Sequence, residues 1–95
     1  AAIRRDLDEV IRLAPDFTYA YYNRGNILAV MKDYHAALVD YNKAIELDSR
    51  FSDAYYNRGL TNVFLGNNRQ GIQDLSKAGE LGIFSAYSVI NVLLR

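Results

Sequence analysis

The chain can be laid on itself at a shift of 34 residues: Phe17 to Leu47 and Phe51 to Leu81 match at 12 of 31 positions without a gap. Ordinary composition would give roughly two such identities by chance. The pentapeptide Tyr-Tyr-Asn-Arg-Gly stands in both copies, at 21–25 and 55–59, and the match continues through Asp40/Asp74, Lys43/Lys77, Ala44/Ala78 and Leu47/Leu81. A fixed period of this length is the mark of stacked units that bury their apolar faces only against one another. One period further back, Asp6 falls under Asp40, Ile11 under Ile45 and Leu13 under Leu47, so the first residues read as the second half of an earlier unit.

Within each period the spacing is helical. In 18–31 the residues Tyr21, Gly25 and Leu28 share one face, while Tyr19, Tyr22, Asn23, Asn26 and Val30 form a second stripe. In 34–47 the small and apolar residues Ala37, Leu38, Tyr41, Ala44 and Ile45 make one face. Lys32 and Asp33 separate the two helices in one copy, and Gly66 and Asn67 in the next; Gly66 suits a helix C-terminus because it enters the left-handed conformation without a Cβ penalty. Thr18 and Ser52 are the expected N-caps, and Pro15 marks a boundary because it cannot continue a helix. After Gly82 the register breaks. Phe84, Tyr87, Ile90 and Leu94 are spaced for one amphipathic helix, which reads as a cap on the stack.

These residues resemble the tetratricopeptide repeat family, whose unit is a 34-residue helix-turn-helix with an aromatic early in the first helix, a small residue four positions later and two small residues in the second helix. Tyr21, Gly25, Ala37, Tyr41 and Ala44 fill those places, and Tyr55, Gly59, Gly71, Leu75 and Ala78 fill them again. Asn62 departs from the pattern where a large residue like Leu28 is expected, and the usual terminal proline occurs only at Pro15. The resemblance implies an all-α, right-handed α-solenoid with a C-terminal capping helix. Its expected parts are 1–16 as the second helix of a truncated repeat, 17–50 and 51–82 as full repeats, and 83–95 as the cap.

The resemblance also implies a non-catalytic protein-interaction module that binds a peptide or protein segment on a concave surface lined by the first helix of each repeat. The stripe on that side nominates Tyr19, Tyr22, Asn23, Asn26, Asp53, Tyr56, Asn57 and Leu60, with Asn23 and Asn57 in a row to hold a peptide backbone. Tyr22 and Tyr56 fit equally well as fillers between helices. Arg24 and Arg58 stand where the family usually has an apolar residue, and Asp40 and Asp74 recur with them; a partly buried arginine needs a partner, so Arg24–Asp40 and Arg58–Asp74 are expected ion pairs within each hairpin. Asn26 and Asn57 look like the asparagine places of a chaperone-tail clamp, but Tyr22 and Asp53 stand where lysines would be needed, and chaperone-tail binding is not expected.

Other chemistry finds little footing. The chain has no cysteine and one histidine, His35, so no metal ligand set can be nominated and no cofactor is expected. Asp40 and Asp74 lie one repeat apart and form a ladder, not a catalytic dyad; the glycines are dispersed, and no phosphate loop exists. Net charge is zero without a basic run, which disfavours nucleic acid and anionic membranes, and no apolar stretch approaches the length of a membrane span. The opening on Ala1 inside a helix reads as a fragment or processed product. The alternative function is therefore structural: a half-repeat exposing Leu7, Val10 and Ile11 would pack on further repeats or on a second copy as a homodimer.

Overall fold

The computed structural model describes residues 2–95, and among them there are six helices and no strand. The helices are α1 (Ala2–Leu13), α2 (Thr18–Val30), α3 (Tyr34–Leu47), α4 (Ser52–Phe64), α5 (Asn68–Glu80) and α6 (Ser85–Leu93). Each packs on the next in chain order, with one further contact between α2 and α4, so the shape is a stack 43 Å long and 16 Å thick. This is the all-α solenoid that the period implies.

Small residues set the spacing of each helix pair. A Cβ added to Gly25 would lie 2.8 Å from Cε1 of Tyr41, whose ring is fully buried and has nowhere to go. Glycine at 25 therefore lets α3 lay an aromatic ring directly on the α2 backbone. Three clusters follow along the stack: Tyr21, Ala44, Phe51 and Ala54; then Leu28, Ala37 and Tyr41; then Leu75, Ala78, Ala86 and Ile90.

The hydroxyl of Tyr21 donates to the Pro15 carbonyl at 2.7 Å, and one period later Tyr55 donates to the Ser49 carbonyl at 3.0 Å. The repeated tyrosine thus ties each helix start to the turn before it.

Three helix ends close in the same way. Lys32 N–H donates to Ala29 O and Asp33 N–H to Leu28 O; Gly66 to Val63 and Asn67 to Asn62; Gly82 to Gly79 and Ile83 to Ala78. This paired bonding requires a left-handed residue at the bend, and the φ values there are 63° at Lys32, 85° at Gly66 and 113° at Gly82.

Three expectations are corrected. Thr18 and Ser52 are the first helical residues, and Phe17 and Phe51 take the N-cap positions with non-helical backbone and no side-chain cap. On α6 the interior face is Ala86, Val89, Ile90 and Leu93; Phe84 and Leu94 are exposed, and the partly exposed Tyr87 lies over Gly79. On α1, Ile11 packs against the first cluster, Leu7 and Val10 are half-buried, and the exposed apolar residues are Ile3 and Leu13.

Candidate functional site

The arginines build the frame. Arg24 donates from Nε and Nη2 to the two carboxylate oxygens of Asp40, both at 2.8 Å, and from Nη1 to Asp8 of α1 at 3.0 Å. Arg58 repeats this with Asp74, at 2.9 and 2.7 Å, and with Asn42 of α3 at 3.0 Å. Each guanidinium also lies over the tyrosine three residues before it, at 5.9 Å from the Tyr21 ring centre and 5.6 Å from that of Tyr55. Hydrogen bonding to Asp40 raises the pKa of Arg24 beyond its already high value, so the strut stays charged wherever the fold exists. Asn62 is buried and turns its amide toward Asp74 at 3.4 Å; it enters the ion-pair network where Leu28 fills space in the earlier repeat.

The α2–α4 face carries the rest. Asn57 Nδ2 donates to Asn26 Oδ1 at 2.9 Å and to the Tyr22 hydroxyl at 3.1 Å, while the Tyr41 hydroxyl donates to the same Asn26 oxygen at 2.6 Å. Burial holds the Tyr41 phenol well above the usual tyrosine range, with the neighbouring Tyr22 and Asp40 adding to the effect, so it remains a protonated donor. Asn26 Oδ1 is thereby occupied by two donors. Its Nδ2 group and the Oδ1 of Asn57 have no side-chain partner among the described residues.

The expected row of Asn23 and Asn57 does not form a bond: Asn23 is exposed, and Asn57 reaches Asn26, one turn further along α2. Tyr22 is half-buried, with its ring 4.7 Å from Phe51 and 6.2 Å from Tyr41, and Tyr56 packs on the third cluster. Both rings pack between helices while staying half-buried, and Tyr22 adds one hydroxyl to the network. Tyr19 and Asp53 are exposed near the helix starts, with Tyr19 edge-on to Phe51 at 5.1 Å.

Beyond the asparagines the face opens into a recess of about 390 Å³, lined by Asn26, Ala29, Val30, Lys32, Tyr34, Tyr41, Asn57, Leu60, Thr61 and Phe64. Tyr34 and Phe64 stack with ring centres 5.5 Å apart and planes within 9°. Val30 and Phe64 are 83% and 68% exposed, so the recess adjoins apolar surface open to a partner. Lys32, Tyr34, Tyr41, Thr61 and Phe64 were not among the expected site residues, although the 34-residue shift itself places Val30 over Phe64.

Two further clefts surround the ion pairs. One of about 330 Å³ holds Arg4, Asp8, Leu28, Ala36 and Val39 around Arg24–Asp40; shifted by one period it becomes a cleft of about 320 Å³ with Leu38, Asn42, Asn62, Gln70 and Gln73 around Arg58–Asp74. His35 is exposed, and among the described residues no group of three or more His, Asp or Glu side chains is placed to hold a metal. Among the same residues no helix is long and apolar enough to cross a membrane.

Sequence profiles of the tetratricopeptide repeat match residues 18–51 and 52–81, together well over half of the chain. The chain belongs to the tetratricopeptide repeat family. A search of curated protein sequences returns no match. Among solved structures, this repeat domain is similar to MamA, with a TM-score of 0.90 and 25% identity over 94% of this chain and 53% of that one. It is similar to a mutant of the O-GlcNAc transferase of Thermobaculum terrenum, at 0.87 and 29%, over 96% of this chain and 18% of that one. YrrB, described as a tetratricopeptide repeat protein with an unusual peptide-binding site, aligns at 0.84 and 27%, over 93% and 48%. The domain thus spans about half the length of MamA and YrrB and less than a fifth of the transferase. The family and these neighbours place it among helical-repeat interaction modules.

Proposed function

We propose that this repeat domain is a non-catalytic module that holds an extended peptide or protein segment on its α2–α4 face. The observation that carries the reading is the fixed orientation of two carboxamides. With Asn26 Oδ1 taken by Tyr41 and Asn57, Asn26 Nδ2 is left as a donor and Asn57 Oδ1 as an acceptor. An extended backbone offers the complementary carbonyl and N–H, and two amides held by their neighbours lose little freedom on meeting it. The peptide-binding site of the similar protein YrrB supports the same ligand class. Asp40 and Asp74 are each committed to an arginine, which favours a scaffold over catalysis. Zero net charge favours a protein partner over nucleic acid or an anionic bilayer.

Selection from a library of random 12-residue peptides tests this. Binders are expected whose affinity falls about tenfold or more in Asn57→Ala, a loss of roughly 1.4 kcal/mol or more, while circular dichroism shows an unchanged fold. A library that yields no binder, or binders indifferent to Asn57→Ala, rejects the reading.

Exposed Ile3 and Leu13 on α1 favour a second reading, self-association through that helix. Light scattering would then show a dimer that Ile3→Glu with Leu13→Glu converts to monomer. A monomer at every concentration dismisses it.

A further inference from the structure

Three helix ends share one closing geometry, and only one of them makes the left-handed bend with a residue that carries a Cβ. Gly66 and Gly82 reach φ 85° and 113° without strain, whereas Lys32 is held at φ 63°, where its side chain crowds its own carbonyl. The two backbone bonds that close α2 hold the bend, but the lysine side chain gains no partner from it among the described residues. The ion pairs among the described residues belong to Arg12, Arg24, Lys43, Arg58 and Lys77, and Lys32 makes neither an ion pair nor a side-chain hydrogen bond there.

Its position suggests what the strain serves. Lys32 lines the recess with Val30, Tyr34, Leu60 and Phe64, and no carboxylate lines that recess with it. Lys32 is therefore the sole charged residue lining this apolar recess, which it shares with the free carboxamide groups of Asn26 and Asn57. Strain in the backbone at an otherwise unneeded charge is a signature of a binding residue.

We infer that the groove takes an extended partner segment in which a large apolar side chain stands beside an acidic residue. The inference rests on the groove reading given above. The apolar side chain enters between Val30, Leu60 and the stacked Tyr34 and Phe64 rings, the backbone meets Asn26 and Asn57, and the acidic side chain meets Lys32. The recess is open to solvent, which suits a segment that runs through it, with the carboxylate that of a side chain within the segment.

Two blocked peptides test it on the 95-residue chain by NMR titration: acetyl-Gly-Asp-Phe-Asp-Gly-amide and its counterpart with both Asp replaced by Asn. The acidic peptide is expected to bind about fivefold or more tighter at low salt, shifting the amide signals of Val30, Lys32 and Phe64. Lys32→Gly is expected to erase that preference, so that the two peptides bind the variant equally, and to raise Tm by a few degrees because glycine relieves the bend. Equal affinity for the two peptides, no binding of the acidic one, or a preference that survives Lys32→Gly overturns the inference. Asn57→Ala separates this from failure of the groove itself. If both peptides bind wild type equally and both weaken in Asn57→Ala, the groove stands and only the role of Lys32 is wrong; if neither weakens, the groove reading fails.

Discussion

Arg24→Ala is expected to lower Tm by more than about 10 °C, and Arg58→Ala to lower it less. Asp40 is only 3% exposed, and its two oxygens are bonded to Arg24 alone among the side chains. Removing the guanidinium strands a carboxylate in the interior, which for a buried pair costs about 3–5 kcal/mol. The arginine itself keeps 24% of its side-chain surface in water, and that screening puts the expected loss near the lower bound, about 3 kcal/mol. In a domain of this size each kcal/mol moves Tm by about 4–8 °C. Asp74, by contrast, keeps the Asn62 amide when Arg58 is removed, so roughly a third less should be lost. Thermal melts of the two variants check the order. The double change Arg24→Leu with Asp40→Ala should recover most of the loss, because no charge is left stranded; a double variant as unstable as Arg24→Ala would point to packing as the cause.

Tyr41→Ala is expected to be the most damaging single change, at about 3–5 kcal/mol, a large part of the 5–15 kcal/mol that typical domains possess. Tyr41 is one of the two largest side chains with no solvent contact, and Gly25 exists at close range to receive its ring. Alanine leaves a cavity that the α2 backbone, itself packed on both sides, cannot fill. Tyr41→Phe is informative for a different reason. It keeps the ring and deletes only the donor to Asn26, at about 1 kcal/mol of stability, yet it frees the Asn26 amide to rotate. Denaturant midpoints give the first quantity, and the affinity of any selected peptide gives the second. Peptide affinity that is untouched by Tyr41→Phe would mean that the Asn26 orientation is irrelevant to binding.

The period made the fold legible, because repeating small residues such as Ala44 and Ala78 can only mean repeating close contacts. The ion pairs were equally open to a reader, since Arg24 and Asp40 recur together and neither could be buried alone. What the period cannot convey is axial stagger. A shift of 34 pairs Asn57 with Asn23, but α4 sits about one turn along α2, and the amide that it meets is Asn26. The α6 face departs from the expected stripe for a related reason. Bulky Phe84, Tyr87 and Leu94 draw attention to one stripe, while the contact depends on Ala86, equivalent to the buried Ala20 and Ala54, which is small enough to let the helix approach. The shift of 34 sets Lys32 on Gly66, and the backbone angle shows that the lysine takes the left-handed conformation of that glycine.

The arginine struts bear on how the stack comes apart. In a linear array, stability divides into what each hairpin contributes alone and what it gains from its neighbour. Arg24 belongs to both shares at once, since the same guanidinium closes α2 on α3 and reaches back to Asp8 on α1. Loss of a hairpin therefore takes its junction with it, and the array melts as a unit instead of peeling from an end. At the next junction the backward contact is to the neutral Asn42, so the charge-assisted share is smaller there, and the two full hairpins are held instead by Phe51 and Ala54 against Tyr21 and Ala44 and by the Asn57–Asn26 bond.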